Sequence, residues 1–255
     1  MEHHPVKISA VIITYNEEKN IERCLKSLQG IADEIIVVDS YSTDKTAEIC
    51  KRFEVNFVLH PFEGYVRQKN YVLDLASYDH ILSIDADEAI SEELRESILQ
   101  VKNDWRYDGY RFNRLTNYCG KWVKYAGWYP DAKIRLWKKG KGKWEGISLH
   151  EKLIMGKDSS VGTLKGDLLH YSYYSIAQYI SKTNSFSDLA AKEASKRGMT
   201  ASFIDIIINP WFVFVKKYFF QRGFTGGWTG FTICIISAFG KFLKYAKLRE
   251  LNKSK

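Results

Sequence analysis

The sequence predicts an α/β protein with a mainly parallel sheet, followed by amphipathic helices near the C-terminal end of the chain. Short β-branched apolar runs alternate with segments of helical spacing over residues 8–85. This alternation is typical of a parallel sheet, because neighbouring parallel strands need a crossover connection. Residues 203–245 are strongly apolar and aromatic, with Lys and Arg on their flanks. We therefore expect two regions, a catalytic domain over residues 1–200 and a basic helical region over residues 201–255.

Four apolar runs are the predicted parallel strands, at residues 8–14, 35–39, 55–59 and 80–85. Continuous Ile and Val runs of this length are typical of strands that are buried on both faces. Apolar residues recur at helical spacing between them, for example through Ile21, Leu25 and Leu28. Gly30 ends this first helix, and the next two helices run through Ile49 and through Val72.

The polar residues of this region follow the carboxyl ends of the strands. They lie at residues 14–17, 39–44 and 85–88. Ligands of open α/β sheets bind outside these strand ends. Three acidic strand ends that converge there would repel one another unless a cation or a donor-rich ligand lies between them. As the alternative, each acidic or hydroxyl residue alone could cap a helix, as Asp44 or Ser91 could.

The nucleotide motifs of two large enzyme classes are missing. No GxGxxG follows the first strand, and no GxxxxGK[ST] occurs in the chain, which disfavours dinucleotide enzymes and P-loop NTPases. The turn Asp85-Ala86-Asp87 suggests another way to hold phosphates, since a carboxylate pair can bind a divalent cation that bridges diphosphate oxygens. A lone DxD is weak evidence, and its value comes from its position after a buried strand.

The charge of the chain is unevenly distributed. The 255 residues have a net charge of +8, yet residues 1–100 contain 10 Lys and Arg against 19 Asp and Glu. Residues 101–255 contain 28 against 11, so an acidic part precedes a basic, aromatic part. No nucleic-acid-binding motif is present, and the basic segments are also very apolar, so we expect no nucleic-acid partner.

The cysteines and the N-terminal sequence suggest a cytosolic protein. Cys24, Cys50, Cys119 and Cys234 are far apart and lack metal-ligand spacing, so buried free thiols are favoured over disulfides. The first residues show no basic segment followed by an apolar run, and we expect no secretory signal.

The ordered motifs resemble the family 2 glycosyltransferases of the GT-A fold. The resemblance rests on Thr14-Tyr15-Asn16-Glu17, on Val37-Val38-Asp39-Ser40 with Ser42-Thr43-Asp44, and on Asp85-Ala86-Asp87-Glu88. Two later stretches, Gly146-Ile147-Ser148-Leu149-His150-Glu151 and His170-Tyr171-Ser172-Tyr173, are similar to bacterial lipopolysaccharide core β-glycosyltransferases. The resemblance covers about residues 6–250. It implies an inverting enzyme that moves a sugar from a nucleotide-sugar, a UDP-sugar, to a lipid-linked saccharide such as lipopolysaccharide core.

The resemblance also implies roles for individual residues. Nucleotide-binding positions are Thr14, Tyr15, Asn16, Glu17, Asp39, Gln68, Asn70, Asp85 and Arg135. Asp87 would bind Mg²⁺ or Mn²⁺, and His170 would complete the metal shell; the alternative for His170 is a core histidine bonded to a backbone carbonyl. Arg135 would offer its guanidinium to the diphosphate or to an anionic acceptor; the alternative is a sheet-surface residue paired with Glu145.

The catalytic base is assigned by position. Many relatives carry a Glu-Asp pair after the DxD region, and this sequence has none there. Glu151 stands in the corresponding part of the chain and is our choice for the base that deprotonates the acceptor hydroxyl. Asp131 is the competing carboxylate, although Tyr129-Pro130-Asp131 is also a turn sequence.

The second half of the chain predicts a membrane-surface region. Residues 138–143 are a basic hairpin candidate, and a helix is expected over residues 175–197, with Gly198 ending it. Beyond it, residues 203–220 and 231–245 are too short or too interrupted to span a bilayer. We expect amphipathic helices with Trp211, Tyr218 and Trp228 at headgroup depth, on the anionic cytosolic face of the inner membrane. The alternative is a basic helical pair packed against its own domain or a second subunit.

Two further functions fit parts of the pattern. A sugar-nucleotide nucleotidyltransferase also uses acidic strand ends and a divalent ion, but it usually carries a Gly-rich basic loop where this chain has Tyr15-Asn16-Glu17-Glu18. A membrane-surface scaffold that has kept a nucleotide pocket would need no catalytic base.

Overall fold

The computed structural model describes residues 4–146 and 151–253. The chain divides into two compact units. The first comprises Met1–Leu115 and Asp131–Tyr171, and the second comprises Thr116–Pro130 and Ser172–Lys255. This division differs from the predicted boundary after residue 200, because the helix over residues 176–196 belongs to the second unit.

The strands, in chain order, are β1 (Ile8–Thr14), β2 (Glu34–Asp39), β3 (Asn56–Leu59), β4 (His80–Asp85), β5 (Glu88–Ile90), β6 (Gly109–Tyr118), β7 (Lys121–Trp122), β8 (Ala132–Lys138), β9 (Gly142–Glu145), β10 (Lys152–Met155) and β11 (Val161–Tyr173).

The helices are α1 (Ile21–Leu28), α2 (Thr46–Cys50), α3 (Tyr65–Asp74), α4 (Glu92–Asn103), α5 (Ile176–Lys196), α6 (Phe203–Val215) and α7 (Gly227–Lys253). A π-helical turn over Lys216–Phe220 follows α6, and a 3₁₀ turn over Gly223–Gly226 precedes α7.

The strands follow the order β3-β2-β1-β4-β8-β6-β11-β5 in one sheet, with β7 paired to β6. The four N-terminal strands are parallel to one another, as the sequence predicts. Strand β8 pairs antiparallel with β4, and β11 pairs antiparallel with β5. The sheet is therefore mixed, and its parallel strands, β3, β2, β1 and β4, lie together at one end of the strand order.

The first unit has three layers. Alternate residues of β1 point to opposite faces: Ile8, Ala10 and Ile12 pack in the core with α1 and α4, whereas Val11 packs with α3. Both faces of the strand are apolar because each is covered by helices. The small sheet of β9 and β10 contributes Trp144 to the α3 side.

The second unit consists mainly of the helices α5, α6 and α7. Ser175 caps α5, accepting from the backbone N–H of Gln178 at 3.2 Å, and Ser202 forms a capping box with Asp205 at the start of α6. Tyr118, Tyr179 and Ile233 meet in the core of this unit. No helix in the described part of the chain is long and apolar enough to cross a membrane.

Two sequence predictions are wrong in detail. Residues 138–143 do not form a hairpin, because β8 pairs with β4 and β6 in the large sheet whereas β9 pairs with β10. Cys24, Cys50 and Cys234 are buried free thiols as predicted, but Cys119 is exposed, at a turn where its φ of 50° is left-handed.

Candidate active site

The three acidic strand ends converge as the sequence predicts. Strand β1 lies between β2 and β4, so that Thr14 is opposite Asp39 and Ile13 is opposite Asp85. Because these strands are parallel, their carboxyl ends meet at one edge of the sheet. The hydroxyl of Thr14 is buried there and has no hydrogen-bond partner among the residues described.

The loops after β1 and β2 are joined by hydrogen bonds. Asn16 has a left-handed φ of 54°, and its backbone N–H donates to Ser42 Oγ at 2.8 Å. Its Oδ1 accepts from the backbone N–H of Thr43 at 2.8 Å. The backbone N–H of Glu17 donates to Thr46 Oγ1, also at 2.8 Å. Asn16 and Glu17, both predicted to bind the nucleotide, are therefore joined to the segment after β2. We call these two joined loops the rim of the site.

Asp39 and Tyr15 differ in what they offer to a ligand. Asp39 is buried and accepts from the backbone N–H of Ser42 at 2.7 Å and from Ser42 Oγ at 2.5 Å, so its carboxylate holds the turn after β2. Tyr15 is 57% exposed, which leaves its ring accessible for stacking on a planar group.

Helix capping was the alternative role considered for two residues, Ser91 and Asp44. Ser91 Oγ accepts from the backbone N–H of Leu94 at 3.3 Å at the start of α4. Asp44 accepts from Thr46 N at 2.9 Å and from Glu18 N at 3.0 Å, so it orders the start of the short α2. Ser91 is therefore a helix cap, whereas Asp44 precedes the N-cap position of α2 and joins it to the loop after β1.

The two α3 positions support the walls of the site. Gln68 is buried and donates from Nε2 to Ser40 Oγ at 3.1 Å, while its Oε1 lies 3.0 Å from His60 Nδ1. Asn70 exchanges two hydrogen bonds with the backbone of Trp144, at 2.9 and 3.0 Å. Both amides thus connect α3 to neighbouring segments, and their contact with a nucleotide stays a prediction.

Asp85 is held by two cations of the chain itself. Lys69 Nζ lies 2.7 Å from Asp85 Oδ1, and Arg135 Nη2 lies 2.9 Å from Asp85 Oδ2. The same Nη2 lies 3.3 Å from Glu88 Oε1, and Glu88 Oε2 accepts from the backbone N–H of Asp85 at 2.9 Å. The charge that the acidic strand ends require is therefore partly supplied by Lys69 and Arg135.

These contacts decide the protonation of Asp85. Burial would raise the pKa of its carboxyl, but the guanidinium of Arg135 and the ammonium of Lys69 together hold it well below its usual range. Burial acts to lower the pKa of Arg135, and Asp85 and Glu88 raise it above its usual value. Asp85 and Arg135 are therefore both charged at neutral pH.

The position of Arg135 disagrees with its alternative role, that of a sheet-surface residue paired with Glu145. It is only 4% exposed, so it is not a sheet-surface residue, and Glu145 pairs with Lys143 at 3.0 Å instead. Its guanidinium also lies 5.2 Å from the ring centroid of Trp144. A role for Arg135 at the diphosphate stays a prediction, since its partners in the structure are Asp85 and Glu88.

Asp87 and His170 meet across the pairing of β5 and β11. His170 is opposite Glu88 in this register, and His170 Nε2 lies 3.2 Å from Asp87 Oδ2. The backbone carbonyl of Asp87 accepts from the N–H of Tyr171 at 2.9 Å. The strand pairing therefore brings together the two residues that the sequence assigns to a metal ion.

The donor set of Asp87 and His170 fits a divalent cation that is shared with a substrate. Both side chains are partly accessible, at 18% and 15%. The carboxylate suits Mg²⁺ or Mn²⁺, and the imidazole favours Mn²⁺, because Mg²⁺ prefers oxygen ligands. Within residues 4–146 and 151–253, no three or more His, Cys, Asp or Glu side chains form a complete metal cluster. Magnesium sites of phosphate-binding enzymes commonly complete their shell with phosphates and water.

Tyr65, which sequence reasoning missed, lies in the field of the carboxylates. Burial raises the pKa of its half-exposed hydroxyl, and four acidic residues raise it further: Glu151, Asp85, Asp87 and Glu17. The charge of Glu151 also acts on Arg135. Glu151 therefore lies within electrostatic range of this group, whereas residues 147–150 of its motif are outside the described residues. The sequence offered one signal for Tyr65, which is the glycine that precedes it. Gly64 has a left-handed φ of 108°, and α3 begins at the next residue, Tyr65.

Asp131, the competing base, is held in ion pairs. It lies 2.9 Å from Arg114 Nη2 and 2.8 Å from Lys133 Nζ. Burial would raise the pKa of its carboxyl, but Lys133 and Arg114 lower it below its usual value. Arg114 also lies 3.6 Å from Glu88 Oε1, so it connects Asp131 to the ion group around Asp85.

Comparison with known proteins identifies relatives of this chain. The model of the family described as glycosyl transferase family 2 matches residues 9–154, more than half of the chain. An uncharacterized glycosyltransferase of Rickettsia typhi is 37% identical, over 96% of this chain and 88% of the relative. A lipopolysaccharide core biosynthesis glycosyltransferase of Rhizobium meliloti, LpsC, is 31% identical, over 95% of this chain and 92% of the relative.

One solved structure supports the fold. The mannosyltransferase PcManGT from Pyrobaculum calidifontis, in complex with GDP-Man and Mn²⁺, is similar with a TM-score of 0.51 and 16% sequence identity. The match covers 95% of this chain and 88% of that chain. At this identity the likeness shows the fold alone, and it agrees with the predicted GT-A fold.

Proposed function

Because the chain belongs to glycosyl transferase family 2, we propose that it transfers a sugar from a UDP-sugar to a saccharide on a lipid anchor, such as lipopolysaccharide core. The family membership makes it a glycosyltransferase. The similarity to LpsC over nearly the full chain supports the class of acceptor. A nucleotidyltransferase or a non-catalytic scaffold is not supported by these relatives.

The observation that carries the proposal is the meeting of Asp87 and His170 beside Asp85 at the carboxyl edge of the parallel strands. A nucleotide-sugar needs an accessible aromatic surface for its base and a positive charge at its diphosphate. Tyr15 supplies the exposed ring at the rim. The linked loops after β1 and β2 fix this rim in place before a donor binds, which reduces the entropy lost on binding.

Asp87 and His170 would hold a Mg²⁺ or Mn²⁺ ion. When bound, the ion supplies positive charge that stabilises the diphosphate as it leaves. The residues of the chain do the remaining work. Lys69 and Arg135 keep Asp85 ionised and immobile, so its carboxylate is ready to accept hydrogen bonds from the ribose.

Glu151 is the proposed base. The acceptor oxygen forms a bond to the anomeric carbon as the bond from that carbon to the diphosphate oxygen breaks, and the hydroxyl proton moves to the Glu151 carboxylate. A single displacement of this kind inverts the configuration at the anomeric carbon. Asp131 is the weaker candidate, because its lowered pKa and its two cationic partners make its carboxylate a poor proton acceptor.

The second unit is the proposed membrane-contacting part. Its C-terminal helices expose large apolar side chains, including Phe203, Ile204, Ile207, Trp211, Phe212, Phe220 and Trp228. Lys216, Arg222 and Lys241 lie on the same segments, so anionic lipids would attract them. Tyr218, predicted at headgroup depth, is instead half-buried and stacks on Phe214 with ring centroids 5.3 Å apart. We place the enzyme on the cytosolic face of the inner membrane.

A nucleotide screen tests the donor site first. Thermal unfolding is measured with UDP, GDP and CDP, each with and without Mn²⁺. Stabilisation by UDP that depends on Mn²⁺ supports the proposal, since only a ligand that binds the folded state raises the midpoint. Transfer from UDP-sugars to a lipid-linked core saccharide then tests the acceptor. A lack of any nucleotide stabilisation would contradict the donor site.

A further inference from the structure

A cleft of about 600 Å³ lies within the second unit. It is formed by the loop that precedes β8 and by the segment between α6 and α7. The residues that give it its chemistry are Lys124, Tyr125, Tyr129, Phe220, Gln221 and Arg222. The cleft is thus lined by two cations, two phenol rings, one amide and one phenyl ring.

The positive charge of this cleft has no acidic counterpart in its walls. Lys124 and Arg222 are both exposed, and no carboxylate is among the residues that line the cleft. In the described part of the chain, neither side chain forms an ion pair; Lys124 Nζ lies 5.2 Å from the ring centroid of Tyr129. Two cations held beside one concave surface favour an anionic ligand.

The walls of the cleft are locked together. The backbone N–H of Ala126 donates to the carbonyl of Gln221 at 2.8 Å, and Lys217 Nζ donates to the carbonyl of Ala126 at 2.9 Å. A Cβ on Gly226 would lie 2.2 Å from the ring of Tyr125, so the two segments pack more closely than any other residue there allows. The cleft is therefore formed before a ligand binds.

Arg222 has a backbone conformation that needs a reason. Its φ of 55° is left-handed, which is unfavourable for a residue with a Cβ, and the preceding residues 216–220 form a π-helical turn. The Arg222 carbonyl accepts from Thr225 Oγ1 at 2.7 Å, which holds this geometry. A left-handed residue is a common way to end a helical turn, and here it directs the chain so that Arg222 lines the cleft.

Gln221 shapes the wall of the cleft. Its Oε1 is buried and has no hydrogen-bond partner within the described residues. A Cβ on Gly127 would lie 2.4 Å from this oxygen, so only glycine leaves room for the amide. The amide therefore packs against the backbone of Gly127 and fixes the shape of this wall.

We propose that this cleft binds the phosphate group of an organic phosphate ester. Lys124 and Arg222 contact the phosphate oxygens. Phe220, 81% exposed beside them, offers an apolar rim for the rest of an amphiphilic ligand. This chemistry has two sources, the glycerophosphate headgroup of an anionic phospholipid and a soluble phosphorylated polyol. The proposal goes beyond the transfer reaction, since no step of that reaction uses the cleft.

The test compares three forms of the full chain: wild type, a cleft variant with Lys124→Gln and Arg222→Gln, and a control variant with Lys121→Gln and Lys192→Gln. Both variants lose two charges from exposed positions of the same unit, so general electrostatic attraction falls equally. One arm measures sedimentation with phosphatidylcholine vesicles with and without phosphatidylglycerol. The other arm measures calorimetric binding of glycerol 3-phosphate and of inorganic phosphate at constant ionic strength.

We expect the cleft variant to bind at least one probe roughly tenfold or more weakly than the control variant, because each lost contact is a charge-assisted hydrogen bond. A loss confined to vesicles assigns the lipid headgroup, and a loss confined to glycerol 3-phosphate assigns a soluble ester. Equal binding by the cleft and control variants to every probe overturns the proposal.

Discussion

The Nη2 atom of Arg135 lies 2.9 Å from Oδ2 of Asp85, with the guanidinium buried between strands β4 and β8. This ion pair joins others into a series of alternating charges that ends at Lys69 on one side and, beyond Asp131, at Lys133 on the other. The carboxylate of Asp87 lies 3.2 Å from His170 Nε2. Of the carboxylates at residues 85–88, Asp85 and Glu88 are therefore paired with cations of the chain, whereas Asp87 meets a histidine.

The first prediction concerns the stability that Arg135 provides. Arg135→Met should lower the free energy of unfolding by about 3–5 kcal/mol, because it removes the buried cation that Asp85 and Glu88 share. Urea unfolding of the two proteins measures the difference. Lys143→Met is the matched control, since its ion pair with Glu145 is exposed and should contribute little. Equal unfolding free energies for wild type and Arg135→Met would contradict the ion group.

The second prediction concerns the pH dependence that Asp131 contributes. Its folded-state pKa is lowered from its ordinary value of 3.8, so the unfolded chain takes up the proton first as the pH falls. The stabilisation is fully present above about pH 4 and is lost as the pH falls through the folded-state pKa. Asp131→Asn should therefore cost about 1–3 kcal/mol at pH 7 and less at pH 3. Unfolding midpoints across that range measure it; a constant difference between the two proteins would refute the assignment.

The parallel strands and their common edge were predictable from the sequence. The runs at β1, β2 and β4 are rich in Ile, Val and Leu, and clusters of polar residues begin where the runs end. Since parallel strands share the direction of their carboxyl ends, the convergence of Thr14, Asp39 and Asp85 followed without coordinates. The helix over residues 176–196 was also predictable, because apolar residues recur there at helical spacing and Ser175 and Gly198 mark its ends.

The partners of the acidic residues were not predictable. Arg135 reaches Asp85 only because β8 pairs with β4 in a register that places Leu136 opposite Leu82, and no local pattern encodes that register. The same pairing explains why residues 138–143 pass to a second sheet instead of forming a hairpin. Lys69 lies next to Gln68 in an ordinary helical sequence, and its burial depends on Asp85 and on the ring of Trp144 4.3 Å away.

The third prediction tests the exposed aromatic residues of the second unit. Trp211→Ser combined with Trp228→Ser should weaken binding to phosphatidylglycerol vesicles by roughly 100-fold or more, because burying each aromatic side chain in the interface contributes about 1.5–3 kcal/mol. Both rings are largely exposed, at 64% and 76%, so the fold should persist. Ile154→Ser, 45% exposed in the first unit, is the control that should bind as wild type does. Unchanged vesicle binding by the double variant would exclude this surface.

The fourth prediction separates metal binding from folding. Asp87→Ala should reduce sugar transfer by at least about 100-fold and abolish the Mn²⁺ dependence of UDP binding. The thermal unfolding midpoint should change little, because the side-chain contact with His170 is partly exposed and the hydrogen bond from Tyr171 to the Asp87 backbone carbonyl survives the substitution. Asp158→Ala, at an exposed turn, is the control for loss of a carboxylate. Full transfer activity in Asp87→Ala would remove Asp87 from the metal site.

The fifth prediction distinguishes the two candidate bases. Glu151→Gln should lower kcat by about 10²- to 10⁴-fold, because the acceptor hydroxyl then lacks its proton acceptor, while the dissociation constant of UDP stays near that of wild type. Asp131→Asn should show the opposite pattern, with lower stability and retained turnover, since that carboxylate is engaged by Arg114 and Lys133. Transfer rates with saturating donor and UDP titrations measure both. A wild-type rate for Glu151→Gln together with a lost rate for Asp131→Asn would exchange the assignments, and the ion pairs of Asp131 would then have to open during the reaction.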